Sequence, residues 1–166
     1  MIGWVNLQHL DIVAVGKVRE NYLKEGINEY LKRLRAYAQV TIKEGPELKV
    51  PEKLTPARSL EVLDAEGRGL QKLIKPGAYT IALDREGTML TSTELAAKLA
   101  DLALGGRNEL AFIIGGTLGL APAILEQADF RLSFSRFTFP HQLMRLILLE
   151  QIFRAYKIQR GEPYHK

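Results

Sequence analysis

Short, unbroken apolar runs alternate with longer amphipathic stretches along this chain, and that alternation limits its possible folds more than any other feature. Residues 7–15 (LQHLDIVAV), 40–42, 79–83, 110–114 and 130–134 read as strands. Between the first two, residues 19–37 carry Leu23, Ile27, Tyr30, Leu31, Leu34 and Tyr37 at spacings of three and four, one face of a helix. Residues 57–74 predict a second helix, weakened by Gly67 and Gly69. Ser92 or Thr93 can cap a third, which runs to Leu104 and stops at Gly105-Gly106. A short helix opens at Pro122, and a long amphipathic one follows Pro140 and runs to about Lys157. Strands that are apolar throughout are buried on both faces. The expected fold class is therefore α/β: a single domain with a mainly parallel sheet flanked by helices. Asp84 to Gly87 (DREG) reads as a turn, and residues 44–57, with three prolines and many charges, as a surface loop.

At 166 residues the chain can bury one core without a metal or disulfide staple. It has no cysteine, which excludes thiol catalysis, Cys-ligated zinc and iron–sulfur chemistry. The three histidines, His9, His141 and His165, lack HxxxH or HExxH spacing, so no metal is expected. No apolar run approaches the ~20 residues that cross a bilayer, and the start lacks a basic flank and an apolar core of signal-peptide type. A soluble cytoplasmic protein with no membrane partner is the expectation. The formal charge of +4 is unevenly placed: residues 131–166 carry +5 and the remainder −1. A basic segment on a near-neutral body suits a phosphate-rich partner, and equally a solubilising surface.

Gly115-Gly116-Thr117-Leu118-Gly119 follows a strand and precedes a helix, where backbone can approach a ligand. It is neither GxxxxGK[ST] nor GxGxxG, which argues against an ATPase and against a nicotinamide or flavin enzyme. A tight turn needing one positive-φ glycine explains it as well. Leu83, Gly115 and the residues after Leu132 nevertheless all sit at carboxyl ends of strands, where open α/β sheets bind ligands. In the last helix Leu143, Ile147, Leu148, Ile152 and Phe153 read as core, while Glu150 and Arg154, four apart, share a face and can pair. His141 reads as a helix-start packing residue and His9 as structural. His165, beside Tyr164 in a polar tail, has no obvious packing purpose.

VAVGK at residues 13–17, Leu83-Asp84, IGGTLGL at 114–120, TFPHQLMR, EQIFRAYKI and the terminal RGEPYHK together closely resemble the ribosomal RNA large-subunit methyltransferase H family (RlmH), of the SPOUT class. The likeness runs from about Gln8 onward, so residues 1–7 form an N-terminal extension before a methyltransferase domain at 8–166. Phe153 stands where the family commonly has Tyr. The resemblance implies a C-terminal trefoil knot, a homodimer and S-adenosyl-L-methionine as methyl donor. It also implies a target in the ribosome, N3 of a pseudouridine in helix 69 of 23S rRNA. Family cofactor-binding positions fall on Leu83, Gly115, Phe134, Ser135, Arg136, Phe137, Thr138 and Phe139. On the acceptor side, His165 suits a general base and Arg154 a group that stabilises negative charge on the target base. Tyr164 would shape that pocket, and Glu150 would orient Arg154. Arg131, Arg136, Arg145, Lys157 and Arg160 are candidates for RNA phosphate contacts. Two other readings stay open: a non-catalytic RNA- or ribosome-binding protein, and a knotted methyltransferase acting on tRNA.

Overall fold

The computed structural model describes residues 7–164. His165, and all of the expected N-terminal extension except Leu7, lie outside the described residues. The described elements run β1 (Gln8–Val15), α1 (Asn21–Leu34), β2 (Ala38–Gly45), α2 (Pro56–Gln71), β3 (Tyr79–Met89), α3 (Ser92–Leu104), β4 (Glu109–Ile114), α4 (Pro122–Gln127), β5 (Phe130–Ser133) and α5 (His141–Gln159). The five strands form one sheet in the order β2-β1-β4-β3-β5, and every pairing within it is parallel. Carboxyl ends of β3, β4 and β5 therefore share one rim as immediate neighbours.

Alternation along each strand splits the core into two layers, because successive side chains point to opposite faces. From β1, Leu10, Ile12 and Ala14 join Ile27 and Leu34 of α1, Leu99 of α3 and Leu149 of α5. Val13 and Val15 point the other way, to Leu70 of α2 and Ile124 of α4. Both layers are needed to cover the central strands of a parallel sheet, while the edge strand β2 keeps Gln39, Thr41 and Glu44 exposed. Phe112 of β4 is fully buried in the larger layer. Truncating such a ring to Ala typically costs about 3–5 kcal/mol.

Helix ends obey local chemistry, with two departures from expectation. Thr55 caps α2 by accepting from the Arg58 amide at 3.2 Å, and Pro56 follows at the first helical position. On α3 the cap is Thr91 rather than Ser92 or Thr93: its Oγ1 accepts from Glu94 N at 3.1 Å, and Glu94 Oε1 accepts from Thr91 N at 2.9 Å. That reciprocal box satisfies two orphan donors at once, an option neither neighbour has. The second departure is β3. The DREG turn forms, with Asp84 Oδ1 accepting from Glu86 N at 3.1 Å, but it sits as a bulge inside a longer strand: Leu83 and Thr88 both pair with Leu132, and Met89 pairs with Ser133. Among the described residues no helix is long and apolar enough to cross a membrane.

Candidate donor cleft and acceptor cluster

A cleft of about 580 Å³ opens where β3, β4 and β5 end, within the ~300–1,000 Å³ usual for small-molecule sites. Leu83 closes one side, the Gly115–Gly119 turn forms the second, and the segment after β5 forms the third. Gly119 adopts φ +90° and its amide returns to the Gly116 carbonyl at 3.0 Å, which folds the turn back on itself. A Cβ at Gly115 would run into the Gly119 carbonyl, so the turn is possible only with bare backbone there. Here the tight-turn reading and the ligand-loop reading describe one structure.

Of the residues expected to hold a cofactor, Leu83, Gly115, Phe134, Ser135, Phe137, Thr138 and Phe139 all line the cleft; Arg136 is exposed and does not. Local hydrogen bonds shape that third wall. Ser133 Oγ donates to the Ser135 carbonyl at 3.2 Å, and Ser135 Oγ accepts from the Phe137 amide at 3.0 Å. Phe137 is left 76% exposed, a large apolar ring with one face still uncovered. Sequence reasoning missed Arg85, whose Nη1 donates to Thr138 Oγ1 at 2.7 Å and ties the β3 extension to the same wall. Reading the segment as an isolated turn hid it. His141 lines the cleft too, with Nε2 3.5 Å from Glu47 Oε1, so it does more than pack at a helix start.

Arg85 is the only Lys or Arg among the lining residues, and Asp84 stands beside it. Such a wall suits a flat apolar ring and a ligand with no excess negative charge, and it suits a polyphosphate poorly. Behind the glycine turn lies Glu66, only 4% exposed, with both carboxylate oxygens against Gly116 and Oε2 accepting from Leu48 N at 3.1 Å. Burial raises its pKa above the ordinary carboxylate value, although the Leu48 hydrogen bond opposes the shift. This carboxyl ties the proline-rich segment to the cleft wall, a link with no signal in the local sequence pattern.

The second constellation forms farther along α5. Glu150 Oε1 accepts from Arg154 Nη2 at 2.6 Å and from Arg154 Nε at 3.0 Å. The same oxygen accepts from the Tyr164 hydroxyl at 3.1 Å, while Oε2 accepts from Gln151 Nε2 at 2.7 Å. A carboxylate so fully engaged is a clamp rather than a free base. Its hydrogen bonds push the Arg154 guanidinium further above its usual pKa, so that cation stays charged at any working pH. Arg154 also lies over the Tyr164 ring, 4.8 Å from its centroid. Burial above all, together with the neighbouring Glu150 charge, pushes the Tyr164 phenol well up. Phe153 sits edge-on to Tyr164 at 5.0 Å and is otherwise enclosed by Tyr30 and Tyr37, an environment that asks for no hydroxyl. The structure thus brings Glu150, Arg154 and Tyr164 together.

One basic candidate is corrected. Arg145 is 1% exposed: Nη1 pairs with Glu44 Oε2 at 2.7 Å and Nη2 donates to the Gly16 carbonyl at 3.0 Å. It anchors α5 to the ends of β1 and β2 and cannot reach a phosphate. Arg131, Arg136 and Arg160 are exposed, and Lys157 is half-buried beside Glu162 at 2.7 Å. Among the described residues, no three His, Asp or Glu side chains group as metal ligands.

Comparison with known proteins agrees with this geometry. The family model described as "Predicted SPOUT methyltransferase" matches residues 8–165. The chain is 70% identical over 158 residues to a ribosomal RNA large subunit methyltransferase H from Moorella thermoacetica, covering 95% of this chain and 99% of that one. A protein of the same name from Alkaliphilus oremlandii is 54% identical over the same shares. In fold alone, the chain resembles the crystal structure of a "Probable Methyltransferase" from Bordetella pertussis Tohama I, with TM-score 0.53 and 10% identity over 90% of this chain and 96% of that one. An apolar cleft at the carboxyl rim of a parallel sheet, a clamped arginine beyond it and these matches lead to one conclusion: the chain belongs to the SPOUT methyltransferase family, in its ribosomal RNA large subunit methyltransferase H branch.

Proposed function

We propose that this chain is an S-adenosylmethionine-dependent methyltransferase that modifies N3 of a pseudouridine in helix 69 of 23S rRNA, acting as a homodimer on a ribosomal substrate in the cytoplasm. The observation that carries the reading is the cleft with its bare Gly115 wall, in a chain of this family. Leu83, Phe137 and Phe139 offer apolar faces to an adenine, and the backbone of the Gly115–Gly119 turn and of residues 134–139 can read its polar edge. When bound, the donor supplies a methyl carbon made electrophilic by its sulfonium, and the departing sulfur keeps the electron pair of the broken bond. Binding here excludes water and holds that carbon for in-line attack, which can supply a large part of the rate enhancement.

Acceptor chemistry needs an anionic nitrogen. His165 takes the N3 proton, and Arg154 stabilises the negative charge that develops on the base. Glu150 holds Arg154 in one rotamer through its two hydrogen bonds, and Tyr164 forms the pocket edge. The spacing along α5 supports the dimer. Met144 lines the cleft and Arg154 lies ten residues later on the same helix, about 15 Å away along its axis. A guanidinium that far from its own cleft is better placed to serve the cleft of a second copy.

Donor affinity by calorimetry, followed by methyl incorporation into intact 70S ribosomes, separated subunits and tRNA, tests the activity. Methylation confined to tRNA, or RNA binding without donor binding, would overturn it. Mixing subunits tests the shared site. A Gly115→Val chain lacks a usable cleft and an Arg154→Ala chain lacks the cation, so each alone is inactive. Randomly paired, they regain about a quarter of wild-type activity, because half the dimers hold one complete site of two. No recovery on mixing would sink the two-copy arrangement. Removing residues 163–166 should abolish methylation while leaving donor affinity nearly intact.

A further inference from the structure

Tyr30 belongs to the sequence-predicted core face of α1, yet its ring is only half-buried and its hydroxyl is not spent on the core. It lies 3.3 Å from the Tyr164 hydroxyl, across 134 residues of chain. Tyr164 has a single hydroxyl proton, and Glu150 Oε1 takes it at 3.1 Å. Tyr30 must then donate to Tyr164, which leaves a directed chain from Tyr30 to Tyr164 to Glu150, with Arg154 donating into the same carboxylate oxygen at 2.6 Å. Rings lock the arrangement from the side. Phe153 meets Tyr30 at 5.9 Å and Tyr164 at 5.0 Å, both edge-on, and the Arg33 guanidinium covers Tyr30 at 5.0 Å.

Sequence places Tyr164 immediately before His165 and three residues beyond Gly161, whose φ is +64°. A short polar tail after a positive-φ glycine has few restraints of its own and would normally fray. Among the described residues, the tail's other side-chain hydrogen bonds are those of Glu162, which accepts from Lys157 Nζ at 2.7 Å and from the Tyr37 hydroxyl at 2.8 Å. Two tyrosines of the α1 region, Tyr30 and Tyr37, thus hold two tail residues, but only Tyr30 acts on the residue that shares Glu150 with Arg154.

We infer that Tyr30 is a positioning residue of the acceptor site: its hydroxyl orients Tyr164 and thereby sets the chain end and the Glu150–Arg154 pair in one geometry. This rests on the proposed methyltransferase reading for its kinetic consequence, and on the fold alone for its structural one. Tyr30→Phe removes the donor while keeping the ring packed on Phe153. In the full-length protein, hydrogen exchange of the Glu162 backbone amide, which donates to the Lys157 carbonyl at 3.0 Å, should speed up about 3- to 10-fold, the span set by losing one ordinary hydrogen bond. Turnover should fall by a similar factor, about 3- to 10-fold, with the Michaelis constant for S-adenosylmethionine unchanged and the melting temperature nearly so. Tyr164→Phe, which also breaks the bond to Glu150, should cost at least as much, and the double variant should be no worse than Tyr164→Phe alone, because Tyr30 acts only through that hydroxyl.

A purely structural tyrosine would lower the melting temperature and leave turnover per folded molecule intact. That result, unchanged tail exchange, or fully multiplicative effects in the double variant would each overturn the inference. Should the wild-type protein methylate no RNA, the proposed function fails, and the exchange measurement still decides the role of Tyr30.

Discussion

The N-terminal end of α5 borders a cleft made of bare backbone and apolar rings, whereas ten residues later the same helix carries a dense knot of hydrogen bonds around one carboxylate. At the cleft, Gly115 contributes by having no side chain and Phe137 by leaving a ring uncovered. Around Glu150, each polar group is held by another: Arg154, Tyr164 and Gln151 converge on two oxygens, and Tyr30 stands behind Tyr164. Shape recognition tolerates conservative exchange, because apolar walls of similar volume repack at small cost. A closed polar network does not, since removing one member leaves another half-buried group without its partner. The two regions should therefore respond to mutation in different observables, one in donor affinity and the other in turnover.

The largest separation is expected from Arg154→Ala. Losing a charge-stabilising donor should lower kcat about 10²- to 10³-fold, with the calorimetric donor Kd unchanged; a weakened donor Kd would mean that the two regions are not distinct. Gly115→Ala should act in the opposite sense. A methyl group cannot fit against the Gly119 carbonyl, so the turn must open; at a cost of at least about 1–3 kcal/mol, donor Kd should weaken at least roughly 5- to 150-fold. Circular dichroism would verify that the sheet survives.

Smaller still is Phe137→Ala. Its exposed ring gains cover only when a ligand arrives, so donor binding should weaken about tenfold with no fall in melting temperature. A fall in stability would show that the ring already serves the free protein. The smallest effect concerns the glycine turn's backing carboxyl. Burial raises the Glu66 pKa in the folded state. Its stabilising share is therefore complete below the unfolded value of about 4.3 and is lost as pH rises through the folded pKa. Glu66→Gln has no such dependence. Melting temperatures of the two proteins, compared from about pH 4 to pH 7, should drift so that wild type loses ground as pH rises.

Much of the fold was legible from short-range pattern. Strand runs, the period of α1, and Pro122 at a helix start are all properties of neighbouring residues. Three features escaped that view for one reason: a partner far away in sequence decided them. Asp84 to Gly87 make the turn their residues favour, yet pairing of Thr88 and Met89 with β5 turns it into a bulge within one strand and brings Arg85 to Thr138. Arg145 looks like any basic residue on an amphipathic helix until Gly16 and Glu44, more than a hundred residues earlier, are seen to enclose it. Tyr30 fits the apolar face of α1 so well that its hydroxyl gave no hint of a tail partner.

For the candidate site, the sequence marked the strand-end loops and the Glu150–Arg154 spacing, since both follow from position on a strand or a helical turn. It determined, by itself, a parallel α/β architecture, a glycine turn at a strand end and an arginine within pairing reach of a carboxylate on one helix face. Only the tertiary structure decided that three loops enclose one cleft, that Arg145 is buried, and that Tyr164 is held between Glu150 and Tyr30. Periodicity constrains which face of an element is apolar, because it depends on residues a few positions apart. Cavities and hydrogen-bond chains depend on which elements become neighbours, and that is settled only when the sheet is assembled and its helices pack upon it.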